Sequence, residues 1–220
     1  MKHKIQKAWQ VFRFYRYNLI DVLRFVKINF LSKHVHRYNG YFFPYPNLEI
    51  LWKEGAVVEI YDTLRIGIPI NSKSKVKSRM IMGKNSRFKV DSKTEIMEGC
   101  DLQLLDNATL SVSKFHSNIC LEVLCGCQIR MQGEVTVGRH VRIRDYNGHE
   151  TTSKFYPKTN PVIIENHVWI CTGATVNAGS YISNGCIIGD NASVWGHIPE
   201  ASFVIGNPAK IKDTNIKFKI

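Results

Sequence analysis

From Ile164 onward an aliphatic residue returns at every sixth position, through Ile170, Val176, Ile182, Ile188 and Val194. A second, mostly small residue follows each of these four places later: Val168, Ala174, Ser180, Cys186, Ala192 and Ile198. A period of six is neither helical nor that of a simple strand, and two registers held in step predict a parallel β-helix, an all-β solenoid in which each short strand stacks on the strand one coil earlier. The same double register runs through Ile119, Cys125, Met131, Val137 and Ile143, with Val123, Ile129, Val135 and Val141 as companions. Further upstream the β-like runs Leu48 to Trp52, Val57 to Tyr61 and Leu64 to Ile70 are irregularly spaced and followed by the basic stretch Lys73 to Lys77, as expected of imperfect terminal coils carrying an insertion.

The first 32 or so residues read differently. Leu19, Leu23, Val26 and Phe30 fall at helical spacing, with Asp21 and Arg24 off that line, so the pattern predicts a helix whose apolar stripe docks on the solenoid and caps its open end. Trp9, Phe12, Phe14 and Tyr15 either extend the stripe or touch a membrane surface. The Gly40, Pro44 and Pro46 punctuation marks His36 to Pro46 as a loop. The chain thus divides into a basic helical arm and linker (1–46), a β-helix domain (47–212) and a short tail (213–220). Within the domain the step from Ile143 to Ile164 is 21 residues. This break implies a polar insertion over 145–160, and a loop thrown out of a rigid scaffold is where chemistry is usually carried.

Composition adds a charge asymmetry. The 220 residues hold 30 Lys and Arg against 18 Asp and Glu, and nine of those cations but only one acid, Asp21, lie in residues 1 to 40. Such an arm suits an anionic membrane face, a polyanionic glycan or nucleic acid, or is simply a solvated appendage. With no nucleic-acid recognition motif beside it, no nucleic-acid partner is expected. No apolar run has the length of a transmembrane helix, and the N-terminus lacks the apolar core and cleavage site of a signal peptide. The expectation is therefore a cytoplasmic protein, with the inner face of the membrane within reach of the arm. Of six cysteines, Cys125-Gly-Cys127 has one intervening residue rather than the two of a zinc pair, and no second ligand pair follows, so no metal is expected.

The hexads, the insertion Arg144-Asp145-Tyr146-Asn147-Gly148-His149-Glu150, the run from Val162 to Ile170 and the segment from Ile205 to Ile211 together resemble bacterial hexapeptide-repeat O-acetyltransferases. The similarity is to the branch found with capsular and other surface polysaccharides. It is strong over roughly residues 95 to 212 and weaker before that. The resemblance implies a left-handed β-helix, a homotrimer, and acetyl-CoA bound between neighbouring subunits. Its acceptor would be a polysaccharide hydroxyl or a lipid-linked precursor; a small acceptor such as serine, a free sugar or an antibiotic, or a non-catalytic scaffold role in polysaccharide assembly, are the alternatives.

Acetyl transfer to a hydroxyl requires a base, and imidazole titrates near the working pH. His149, beside flexible Gly148, stands at the position of the catalytic histidine in the resembled family. Either Asp145 or Glu150 could hold its second ring nitrogen; Asn147 replaces an Asp common in that family. Trp169 is the candidate oxyanion donor through its indole N–H, with packing at the trimer interface as the alternative. For acetyl-CoA the resemblance places Thr172, Ala174 and Asp190 along the pantetheine arm and Lys210 at a phosphate. Trp195-Gly196 stands where many relatives carry Thr-Lys, so Trp195 either stacks on adenine or packs. Cys171 replaces a usual glycine, and nothing in the sequence fixes a histidine beside it as a nucleophile would need. His116, His140 and His167 read as surface residues.

Overall fold

The computed structural model describes residues 18–154 and 156–219. The readings made for Trp9, Phe12, Phe14 and Tyr15 lie outside the described residues.

The hexads build a three-sided prism. One inward column runs Ile60, Val90, Val112, Met131, Ile164, Ile182, Ile198, each residue in parallel register with the next. A second runs Ile66, Ile96, Ser117, Val137, Ile170, Ile188, Val204. A third runs Ile50, Met80, Leu102, Val123, Ile143, Val176, Val194. The faces built on these columns are here called A, B and C in that order. The register gives seven complete coils, starting at Val35–Arg37 on face A, Phe42–Pro44 on face B and Leu48–Trp52 on face C, and part of an eighth. Both residues of each hexad from Ile164 to Ile198 are buried, because strands this short point two side chains inward before the corner turns. Each such aliphatic side chain contributes about 1.5–3 kcal/mol of burial.

The early strands Leu48–Trp52, Val57–Ile60 and Leu64–Ile68 follow the sequence reading closely. Three features depart from it. The stretch read as a linker contains two strands, so the solenoid begins at Val35. Ile119 is only half-buried, and Leu121 takes the inward place, because Cys120 adopts a left-handed conformation (φ 61°) at the corner. At the other end Lys210–Thr214 folds back antiparallel on Ser202–Ile205 and closes face B, beyond the expected boundary at 212.

The helix α1, Leu19–Val26, continues into a π-helical turn, Lys27–Leu31. Asn18 caps it, its side chain accepting from the amides of Ile20 (3.0 Å) and Asp21 (3.4 Å), a contribution of about 1 kcal/mol. The stripe expected to dock does the opposite: Leu19, Leu23, Val26 and Phe30 are exposed, while Asp21, Phe25 and Asn29 are buried. Hydrogen bonds decide the orientation. Asn29 donates to the carbonyls of Phe25 (3.0 Å) and Phe42 (2.7 Å) and accepts from the Phe42 amide (2.9 Å). Arg24 donates to the carbonyls of Tyr45 and Pro46 (both 3.1 Å) and of Leu48. These contacts satisfy backbone groups at the first coil that a hydrocarbon stripe would leave unpaired.

Candidate active site

The insertion leaves face C after Arg142–Arg144 in the fifth coil and returns to face A at Val162–Ile164, so it projects from the C–A corner. Its neck is narrow. Asn160 N–H donates to the Asp145 carbonyl (2.9 Å), Asn147 N–H to Lys158 (2.8 Å), the Asn147 side chain to Pro157 (2.8 Å), and Tyr146 pairs antiparallel with Thr159. Asp145 anchors this neck. Its carboxylate is fully buried and accepts from the backbone amides of Gly126, Cys127 (2.9 Å) and Gln128, with the Cys125 thiol also directed at it. Burial, with the Asp145 charge adding to it, pushes the Cys127 thiol up to about 11.

Tyr146 then lies over Gly126, where an added Cβ would sit 2.8 Å from its ring, and its hydroxyl donates to the Gly148 carbonyl (2.8 Å). Gly148 turns through φ 88° in open space, and His149 follows it, exposed, at the start of the loop tip. Neither candidate orienting carboxylate faces this ring: Asp145 is committed to the amides beneath the neck, and Glu150 pairs with Lys158 (3.1 Å). The exposed Glu150–Lys158 pair is of the kind worth well under 1 kcal/mol.

Trp195 stands at the same C–A corner two coils further on, its ring 6.0 Å from that of Tyr156 in the loop. It therefore supports the insertion within its own chain and does not join Lys210. Beneath it lies a polar cluster that the sequence did not reveal. Asn177, almost fully buried, accepts from the Arg144 guanidinium (3.1 and 3.3 Å) and donates to Ser193 Oγ and the Val194 carbonyl (both 3.0 Å). The only sequence sign of it was an Asn directly after the inward Val176.

Trp169 lies elsewhere, on face B between Thr136 and Ile187, and is 41% exposed. The C-terminal tail approaches it: Phe218 is 6.3 Å from the Trp169 ring and stacks on His167 at 4.4 Å, and the His167 ring meets the Phe218 carbonyl at 3.1 Å. His167 is thus half-covered, whereas His116 and His140 are exposed as expected.

The residues assigned to acetyl-CoA sort by corner. Thr172 and Asp190, both exposed, occupy the B–C corner of successive coils, with the Asn191 amide donating to the Thr172 carbonyl (2.9 Å). Lys210, exposed, opens the terminal strand opposite Ile205 on the same side. Ala174 departs from its expected role: its methyl points into the core, its amide donates to Cys171 (3.3 Å), and its carbonyl accepts from Arg142 (3.0 Å). Cys171 is half-buried, and burial with the nearby Asp190 charge pushes its thiol up to about 11, far from a nucleophile's range. Among the described residues no three His, Cys, Asp or Glu side chains converge as metal ligands.

One chain therefore carries two separate groups at opposite edges of face C: the His149 loop with Trp195 at one, Thr172, Asp190 and Lys210 at the other. No protein-family model matches the chain. A putative lipopolysaccharide biosynthesis O-acetyl transferase of Escherichia coli K12 is 41% identical over 54 residues, 24% of this chain and 28% of the relative. A putative colanic acid biosynthesis acetyltransferase of the same strain is 28% identical over 85 residues, 36% of this chain and 47% of that one. Over these stretches the chain is similar to acetyltransferases. It spans less than half the length of the curated relatives it matches. Among solved structures, a polysialic-acid-specific acetyltransferase aligns with 80% of this chain and 84% of its own at 21% identity and a TM-score of 0.48.

Proposed function

We propose that this protein is an acetyl-CoA-dependent O-acetyltransferase that modifies a hydroxyl of a bacterial surface polysaccharide or its lipid-linked precursor. The observation that carries the reading is an exposed histidine on a loop whose neck is pinned by a fully buried carboxylate. Such a neck presents one imidazole beside the C–A corner of a rigid prism, where a general base can meet an acceptor hydroxyl. The names of the two E. coli relatives, in lipopolysaccharide and colanic acid biosynthesis, favour a glycan acceptor.

Acetyl-CoA supplies the activated acetyl group. Lys210 offers a cation suited to a nucleotide phosphate, and Thr172 and Asp190 line the path to it along the B–C corner. His149 takes the proton from the acceptor hydroxyl as its oxygen attacks the thioester carbonyl; the sulfur leaves as the C–S bond breaks and receives that proton. The base and the nucleotide-binding side chains lie at opposite edges of face C. A homotrimer in which the C–A corner of one subunit meets the B–C corner of the next brings the two groups together, with Trp169 of face B as the candidate oxyanion donor.

The test is transfer of labelled acetyl from acetyl-CoA to purified capsule, exopolysaccharide or O-antigen, against serine, free sugars and aminoglycosides. Selective labelling of a polysaccharide supports the proposal. Labelling only of small acceptors, or none at all, overturns it.

A further inference from the structure

The helix at the start of the solenoid turns a mixed polar and apolar face inward and leaves most of its aliphatic side chains outside. Asp21, Arg24 and Asn29 are turned toward the first coil beside Phe25 and Ile28, and four aliphatic residues face out: Leu19 is 62% exposed, Ile20 76%, Leu23 59% and Leu31 76%. Contiguous exposed hydrocarbon of this kind marks a surface that meets something. Charge says what. Asp21, the one acid among residues 1 to 40, is buried, so among the described residues 18–40 the outward surface is apolar and cationic without a balancing carboxylate.

Lys27 lies between the outward rows of Leu23 and Leu31, and Lys33 follows at the end of the π-helical turn; both are exposed. Together with Leu23, Val26 and Trp52 they line an open groove of about 810 Å³ between the helix and face C. The 17 residues that precede Asn18 add five Lys or Arg and no acid in sequence. Apolar side chains interleaved with lysines match the chemistry of an anionic bilayer surface, where acyl chains take the hydrocarbon and headgroup phosphates the ammonium groups.

We infer that this end of the solenoid is a peripheral docking face for an anionic phospholipid bilayer. The helix seats against the first coil and the insertion leaves from the fifth, four coil spacings of about 4.8 Å each, so docking would hold the loop roughly 19 Å above the membrane. That last consequence rests on the acetyltransferase reading, because it brings His149 within reach of a lipid-linked glycan; the docking itself does not.

The experiment is co-sedimentation of the full chain with vesicles of phosphatidylcholine alone and of phosphatidylcholine with about 30 mol % phosphatidylglycerol. The expected result is binding to the anionic vesicles, weakened at least about tenfold by Ile20→Glu/Leu31→Glu and, independently, by Lys27→Glu/Lys33→Glu or raised salt. Both apolar positions are about three-quarters exposed, so these variants should keep the parent melting temperature and sedimentation coefficient. Absence of binding to anionic vesicles overturns the inference, as does binding that Ile20→Glu/Leu31→Glu leaves intact. A lower melting temperature in that variant would assign the face to residues 1–17 of the same chain, and a changed sedimentation coefficient would assign it to a second copy; either result also overturns it. Acetyl transfer in solution is a separate readout and stands or falls apart from this one.

Discussion

Asp145 accepts a hydrogen bond from the Cys127 amide at 2.9 Å, reaching from the first residue of the insertion to the coil beneath it. With the amides of Gly126 and Gln128 on the same carboxylate, the neck of the loop is fastened to a turn of the prism as well as closed by its own hydrogen bonds. Asp145→Ala leaves these part-buried donors unpaired and is expected to cost about 3 kcal/mol. The check is thermal unfolding together with limited proteolysis, which should cut within 145–160. A variant with parental stability and an uncut loop would show that the carboxylate does not anchor it.

Gly126→Ala attacks the same neck from below. A Cβ there would stand 2.8 Å from the Tyr146 ring, which must move and take Gly148 and His149 with it. We expect a loss of about 1–3 kcal/mol in stability and a fall in kcat out of proportion to any change in acetyl-CoA affinity. Parental kcat with an overpacked neck would mean that the height of the loop is not critical.

At the other edge of face C, Lys210→Glu should raise KM for acetyl-CoA by about tenfold or more, leaving kcat nearly unchanged, because a phosphate contact serves binding rather than the chemical step. Initial-rate kinetics over a range of acetyl-CoA separate the two constants. An unchanged KM would remove Lys210 from the nucleotide site.

Cys171 and Cys127 make a pH prediction. Both thiols hold their protons in the folded chain until about pH 11, chiefly through burial. An exposed thiol in the unfolded chain loses its proton from about pH 8.5. Between these values the unfolded chain binds fewer protons than the native one, so stability should fall as pH rises through about 9 to 11 and be insensitive to these groups below that window. Iodoacetamide should likewise alkylate native Cys171 slowly at pH 8, and Cys171→Ser should retain acetyl transfer. Rapid labelling at pH 8 would contradict the thiol's assignment as inert.

Much of this architecture was legible because hexapeptide coils repeat their burial: Ile164 through Val194 occupy the places their spacing implies, and the interruption before Ile164 is the loop. The helix shows where such reading stops. Leu19, Leu23, Val26 and Phe30 do form one stripe, but periodicity reports that a face exists and not which way it turns. Asn29, with three hydrogen bonds to Phe25 and Phe42, decided that, and a lone Asn carries no sign of such bonding. Asp145 was visible as a loop carboxylate near His149, yet its partners, amides 17 to 19 residues upstream, are set by the stacking of coils. Trp195 was similarly drawn toward the nucleotide by resemblance, whereas its partner Tyr156 comes from an insertion whose return path has no repeat to read.

The most direct measurement is the rate of coenzyme A release by wild type and His149→Ala at saturating acetyl-CoA and polysaccharide acceptor. Removal of the base should lower turnover by about 10² to 10⁴ with acetyl-CoA affinity and melting temperature unchanged. A folded His149→Ala protein that turns over at the wild-type rate would contradict the assignment of the loop as the catalytic element.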